Sequence, residues 1–443
     1  MKKKILFIVK DKKSYENFIK NINKFSDFGD KFLLSFNREL YEKITTHKFL
    51  KKNNIFDANH LIEKNINLNG KKISSILKKL LIKNSDFYLS KFSELNNADN
   101  FFYDYLANDA ISKIIKKKNI TDIYNFYNAN KNLKKNNISF FEIEKKQAKL
   151  TFFLKCLFIS LKNFLNEIFL SLILKKDFLE HDKLIVANLK DNWIKKKNYY
   201  EYIYVNNYKN RSSFSYLISG LRNNTNSHNN FLKYLKTINK INKQKNIFFI
   251  ESWINIFSIV RNYFFGYFLF FKKYLELKNF FLKNKFTNYN EIICIFYLID
   301  YPKNKNLEKA YSKFFVTQKK IKKLCIPIFE LNDGKIACRI ANDFHLKTYG
   351  IQHGYFNSWH KWRFFYNLSA CSSISKKFFP KNIFFFGANT FKWYNKINFV
   401  SKKIIGNQRT SNYPSNYNFE KVTGNYILVL LDLRDWRLSL IHI

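Results

Sequence analysis

Short apolar runs that alternate with amphipathic segments over the last third of the sequence constrain its fold more than any other feature. The strand-like runs cover Ile292–Phe296, Cys325–Phe329, Thr348–Ile351, Ser369–Cys371, Ile383–Phe386 and Lys403–Ile405. Apolar residues at helical spacing separate some of them, over Leu307–Phe315 and Lys335–Phe344. This alternation is typical of a parallel sheet with helices on both faces. We therefore predict an α/β fold with a doubly wound parallel sheet.

The preceding part of the chain shows the same two periodicities. It predicts strands over Ile5–Val9, Ile120–Tyr127 and Lys183–Ala187, and helices over Ser14–Phe25, Ile73–Ile82 and Ser212–Leu221. Leu33–Phe36 is a short apolar run, and 128–137 is predicted to be a polar loop. Residues 140–180 and 248–281 each predict a long apolar helix. We predict four regions: an N-terminal α/β region over 1–139, a helix-rich region over 140–288, an α/β site region over 289–425 and a last strand over 426–443.

The formal net charge of +45 raises the question of nucleic-acid binding. However, only nine of the 78 basic residues are arginine, whose planar fork is what phosphate and base recognition favours. Residues with A/T-rich codons are abundant throughout, so nucleotide bias of the genome accounts for most of the excess lysine. We predict no specific nucleic-acid partner. A basic surface would still attract anionic lipid head groups or anionic sugar donors.

The cysteines and the apolar segments indicate whether the chain has a metal site and in which cellular compartment it lies. The five cysteines form no CxxC pair and have no histidine at ligand spacing, so we predict no metal site and a reducing cytoplasm. The apolar run Ile5–Val9 is too short for a signal peptide, and Trp253–Phe271 carries Arg261 near its middle. The long helices therefore either pack in the core or dock at the inner face of the cytoplasmic membrane.

His353 is the candidate catalytic residue. It follows a predicted strand and is flanked by Gln352 and Gly354. An unperturbed imidazole has a pKa of about 6.5, which suits a general base at neutral pH. Gly354 allows the chain to turn sharply and to bring backbone N–H groups near a ligand. The structural alternative is a histidine that only satisfies a loop carbonyl.

Two further groups of candidate substrate-binding residues follow predicted strands. Glu330 could orient His353 or hold sugar hydroxyls, or it could simply place a charge at a helix N-terminus. Gly406 begins a turn that leads to Arg409, which could bind a phosphate or carboxylate with two hydrogen bonds. The alternative for Arg409 is a solvated surface side chain.

The order of these short motifs resembles that of a known protein family. The motifs are Glu330–Gly334, Thr348–Gly354, Phe385–Gly387 and Ile404–Arg409. Over roughly residues 180–435 they resemble surface-carbohydrate biosynthesis proteins of O-antigen, lipopolysaccharide or capsule, which are similar to GT-B-type glycosyltransferases. The His-Gly pair is also similar to that of polyglycerol-phosphate and capsule polymerases. The resemblance implies that His353 is the base on the acceptor side, that no cofactor is needed, and that the substrates are a nucleotide sugar and a glycan or lipid-linked acceptor.

The resemblance also implies a second, donor-binding Rossmann-like domain after the site region. Tyr426–Leu431 predicts its first strand, and the sequence ends at Ile443. We therefore predict a GT-B-like fold with long helical insertions in which this second domain is mostly absent. The expected function is sugar transfer in bacterial surface polysaccharide assembly, with the activity of this chain left open. The alternative is a non-catalytic binding or assembly protein of the same pathway.

Overall fold

The computed structural model has two parallel-strand sheets and mostly helical content, in agreement with the predicted α/β class. It describes residues 4–9, 12–25, 29–46, 50–64, 66–89, 98–125, 131–134, 149–174, 176, 181–188, 215–219, 247–284, 286, 289–327, 329, 331–351, 376–394, 397–405, 427–432 and 437–442. The predicted strand Ser369–Cys371 lies outside these residues.

The first sheet occupies the N-terminal part of the chain. Its strands are β1 (Lys4–Val9), β2 (Asp30–Ser35), β3 (Ile55–Asp57), β4 (Asp122–Asn125) and β5 (Lys131–Lys134). They lie in the order β3-β2-β1-β4-β5, and only the β4–β5 pair is antiparallel. The predicted polar loop over 128–137 therefore contains a strand, because β4 offers it an edge to pair with.

Helices cover both faces of this first sheet. They are α1 (Lys12–Asn21), α2 (Arg38–Thr46), α3 (Ala58–Lys64) and α5 (Ala98–Lys118). The intervening helix α4 (Ile66–Lys83) packs instead through Leu80 and Leu81 in the buried cluster that also contains strands of the second sheet. Alternate residues of β1 point to opposite faces, as strand geometry requires. Leu6 and Ile8 belong to a buried cluster with α5, whereas Ile5, Phe7 and Val9 belong to one with α1 and α2. The N-terminal sheet is thus doubly wound.

The second sheet has seven strands and is entirely parallel. They are β6 (Lys183–Asn188), β7 (Ser215–Ser219), β8 (Ile247–Phe249), β9 (Lys323–Ile326), β10 (Lys347–Ile351), β11 (Asn382–Phe385) and β12 (Ser401–Ile404). Their order is β12-β11-β10-β9-β6-β7-β8, so the direction of winding reverses between β6 and β9. The helix predicted over Ser212–Leu221 is wrong, because this segment supplies β7, which pairs with a strand on each side.

Helices of six to 28 residues precede or connect the strands of the second sheet. They are α6 (Lys149–Ile173), α7 (Ile256–Lys283), α8 (Tyr289–Cys294), α9 (Tyr301–Thr317), α10 (Asn332–Asp343) and α11 (Ala388–Tyr394). A π-helical segment, Ile295–Asp300, joins α8 to α9. The strand predicted over Ile292–Phe296 is therefore wrong: the run is apolar because a buried helix meets protein on most sides.

Gly266 explains how closely α7 packs on this π-helical segment. A Cβ atom built on Gly266 would lie 2.7 Å from the carbonyl oxygen of Tyr297. Only a glycine allows the two backbones to approach this closely.

The last strands differ from the prediction. The predicted strand from Tyr426 onward is present as β13 (Ile427–Asp432), but it pairs antiparallel with β14 (Arg437–His442). A first strand of a Rossmann-like domain would pair in parallel. The other parallel-strand sheet of the chain lies at its N-terminal end. The apolar pattern identified the strand, but a strand's partner depends on residues far away in sequence.

Candidate functional site

The candidate site lies at the carboxyl edge of the second sheet. Ligands of open parallel sheets bind outside the carboxyl ends of strands, where the winding direction reverses. In this sheet the reversal falls between β6 and β9. Strand β9 ends at Ile326 and its parallel neighbour β10 ends at Ile351. Segments that follow these two strands therefore begin side by side at this edge.

The six predicted site residues themselves lie outside the described residues: Glu330, Gln352, His353, Gly354, Gly406 and Arg409. Their distances and orientations are therefore still predictions, and what the structure provides is the frame from which they extend.

The strand ends from which the site segments extend lie at a fixed distance from each other. Gln352 is the residue next to the end of β10, while Gly406 follows the end of β12 at Ile404 by two positions. Strand β11 lies between β10 and β12. Neighbouring strands are about 4.8 Å apart, so the segments leading to His353 and Arg409 start roughly 10 Å apart. A sugar phosphate spans this order of distance.

Gly350 anchors the end of β10. A Cβ atom built on it would lie 2.7 Å from ring carbons of both Phe329 and Pro380. Only a residue without a side chain allows the strand to approach both rings this closely. Gly387, from the predicted Phe-Gly motif, has open space where its Cβ would be.

Thr348 fixes the same strand from its other end. Its buried hydroxyl donates to Oδ1 of Asn342 on α10 at 3.1 Å and accepts from the backbone N–H of Lys381 at 2.8 Å. The Asn342 amide donates in turn to the carbonyl oxygens of Lys377 and Phe379. These bonds set the position of β10 relative to α10 and β11.

Helix α10 begins at Asn332, so Glu330 comes two residues before its N-terminus. A helix N-terminus favours negative charge. This position agrees with the structural alternative for Glu330 as well as with a ligand-binding role. Asn332 and Lys335, in the first turn of α10, are both buried.

A charged network links α9 and α10 to the N-terminal part of the chain, and sequence reasoning did not find it. Arg339 Nη1 contacts Glu308 Oε1 at 2.6 Å, and Lys305 Nζ contacts Glu308 Oε2 at 3.2 Å. The same ammonium lies 3.0 Å from Oδ1 of Asp86. Burial lowers the pKa of Lys305, but the carboxylates of Glu308 and Asp86 outweigh it, so the pKa is raised.

A second buried network joins three helices. Asn306 on α9 donates to the carboxylate of Glu167 on α6 at 2.6 Å, and Asn262 on α7 donates to Asn306 at 2.7 Å. All three side chains are buried. Glu167 and Asn262 are polar residues within long apolar helices, whereas Asn306 lies in a helix that has many polar residues. Their pairing could not be predicted from the sequence.

We expect Arg339→Met to lower the free energy of unfolding by about 1–2 kcal/mol, because Glu308 loses its shortest charged partner while keeping Lys305. The Glu308 side chain is only 11% exposed, so water replaces the lost bond poorly. Lys273→Met is the matched control, since it breaks a more exposed pair with Glu276. Such surface pairs contribute about 0–1 kcal/mol. Equal losses in urea unfolding of the two variants would contradict this prediction.

Among the described residues, no group of three or more His, Cys, Asp or Glu side chains could hold a metal ion. A surface pocket lined by Phe315, Ile321 and Leu346 lies near the amino ends of β9 and β10, at the opposite edge from the candidate site. No protein-family model, curated protein or solved structure matches the chain.

Proposed function

We propose that the protein is a GT-B-like glycosyltransferase of bacterial surface polysaccharide biosynthesis, acting at the cytoplasmic side of the membrane. The observation that carries the proposal is the topology. Two parallel-strand sheets lie in one chain, and the motif residues come one to five positions after strands of one of them. In such sheets these positions belong to the ligand-binding edge. The N-terminal sheet is our candidate for the second nucleotide-binding domain that a GT-B-like fold requires.

The proposed reaction needs one base and one anion-binding group. The neutral imidazole of His353 takes the proton of an acceptor hydroxyl, whose oxygen then attacks the anomeric carbon of the donor sugar. The bond from that carbon to the phosphate oxygen breaks, and the nucleotide leaves with the bonding electrons. Arg409 stabilises the charge that develops on the departing phosphate. Glu330, Gln352 and the backbone around Gly354 and Gly406 would hold substrate hydroxyls or phosphate.

Calorimetric titration of the full chain with uridine, guanosine and cytidine nucleotide sugars tests the proposal. We expect one of them to bind more tightly than its free sugar, because the phosphates supply most of the charged contacts. Release of the nucleotide on adding a glycan acceptor would then demonstrate transfer. If no nucleotide sugar binds, the enzyme proposal fails and a non-catalytic role in the same pathway becomes the better account.

A further inference from the structure

Helices α6 and α7 pair with each other and leave large apolar side chains uncovered. Phe158, Leu161 and Leu165 on α6 and Phe264, Phe268 and Phe271 on α7 are exposed, and together they define the α6–α7 apolar face. Phe158, Phe264 and Phe271 are 70%, 72% and 71% exposed. An exposed apolar patch of this extent marks an interaction surface rather than ordinary protein surface.

The contacts between the two helices show that they run antiparallel. Phe153 stacks on Phe270 with ring centroids 5.4 Å apart, and Phe164 meets Tyr263 at 5.3 Å. Between them the hydroxyls of Ser160 and Tyr267 lie 3.0 Å apart. Residue numbers that rise along α6 therefore fall along α7.

Helical periodicity then places both apolar stripes on the same side of the pair. Leu161 and Leu165 each follow a pairing residue of α6 by one position, and Phe264, Phe268 and Phe271 do the same on α7. One position is a rotation of about 100°. Since antiparallel helices rotate in opposite senses when viewed from one end, equal offsets point to the same side. The result is one continuous face, about 10 Å long over these residues and roughly 33 Å long when the exposed Leu150 and Leu172 near the ends of α6 are included.

Cations border this face along both outer edges. Lys155 and Lys162 on α6, and Arg261 and Lys272 on α7, are exposed and lie about 160–200° from the pairing residues of their helix. Of the two carboxylates on these helices, Glu167 is buried against Asn306 and Glu276 pairs with Lys273. An apolar strip with basic edges matches the interface of an anionic bilayer, where apolar groups enter and cations meet head groups.

We propose that the α6–α7 apolar face docks the protein flat on an anionic lipid bilayer. A second copy of the chain fits less well, because a symmetric contact through this face would bring the basic edges together without acidic partners. Within the described ranges one helix, Leu150–Ile173, is long and apolar enough to cross a membrane. Its other side, however, packs in the core and carries buried Ser160 and Glu167. Helix α6 therefore lies along the bilayer and does not pass through it.

The experiment is co-sedimentation of the full chain with sucrose-loaded vesicles, either of phosphatidylcholine alone or with added phosphatidylglycerol. We expect binding to the anionic vesicles that weakens with salt. Phe264→Asp and Phe268→Asp should each lower the partition coefficient roughly tenfold, since each removes a buried aromatic side chain from the bilayer interface. Ile82→Asp and Val316→Asp are the controls, because both residues are exposed apolar side chains on other helices. Vesicle binding is measured without substrate, so its result does not depend on whether the protein transfers sugar.

The proposal is overturned if the wild type does not bind anionic vesicles, or if the face and control variants bind them equally. It is also overturned if the wild type is a dimer that the face variants dissociate while lipid has no effect. Retention in the membrane pellet after alkaline carbonate extraction would also contradict flat docking. Phe264→Trp guards against misfolding of the charged variants. Its extra fluorescence should be quenched by lipids with brominated acyl chains, whereas that of Ile82→Trp should not.

Discussion

We expect His353→Ala to lower the rate of sugar transfer by roughly 10²–10⁴-fold, the contribution typical of a positioned general base. The acceptor hydroxyl is a weak nucleophile until its proton is removed, and alanine offers no group that can take it. Binding of the nucleotide sugar should change little, because the base contacts the acceptor and not the donor. Initial rates of nucleotide release at saturating donor, with calorimetry alongside, measure the two effects separately.

His345→Asn is the matched control for this substitution, since His345 lies two residues before β10, at the edge of the sheet opposite the candidate site. It should transfer sugar at the wild-type rate. The pH profile gives a second readout. In the wild type the rate should rise as the base loses its proton, and in His353→Ala that rise should disappear. A His353→Ala variant that keeps the wild-type rate would remove His353 from the mechanism.

We expect Gly350→Ala to lower the free energy of unfolding by about 1–3 kcal/mol, the usual cost of inserting a methyl group into a packed region. Its Cβ would meet the rings of Phe329 and Pro380 at 2.7 Å, and neither ring is the free end of a flexible side chain. Replacing glycine by alanine within a strand otherwise favours folding, so the expected loss is net of that gain. Thermal and urea unfolding measure it.

Gly387→Ala is the control, because the space beside Gly387 is open. It should be neutral or slightly stabilising. If strand β10 shifts to relieve the clash at Gly350, the residues after Ile351 move with it, so sugar transfer should fall along with stability. Equal stability of Gly350→Ala and Gly387→Ala would show that the packing around β10 yields without cost.

Prediction from the sequence succeeded where a segment's own pattern decides its conformation. Strands at 183–188, 347–351 and 382–385 were predicted close to their observed bounds. Both long helices are present, but the second was predicted to begin at residue 248 and begins at Ile256, because Ile247–Phe249 pairs with β7 as strand β8. Prediction failed at Ser212–Leu221 and Ile292–Phe296, both short apolar runs. Such runs fit a buried strand or a buried helix equally well, and only the neighbouring elements decide between them.

The candidate site divides in the same way. The sequence placed its residues after strands, and the parallel order of β9 and β10 supports that placement. The charged network of Arg339, Glu308, Lys305 and Asp86 was not predictable, because it joins residues more than two hundred positions apart. On both α6 and α7 the exposed apolar residues follow the pairing residues by one position. This places them on the same side only because the two helices are antiparallel, which the sequence does not show.

Periodicity was enough to predict the α/β class and the long apolar helices, because such a pattern acts over a few residues. The folded structure was needed for the strand order, the N-terminal position of the other parallel-strand sheet, the pairing of β13 with β14 and the side on which the α6–α7 apolar face lies. These depend on contacts between distant segments, whose free energy is set by shape and burial in the folded chain.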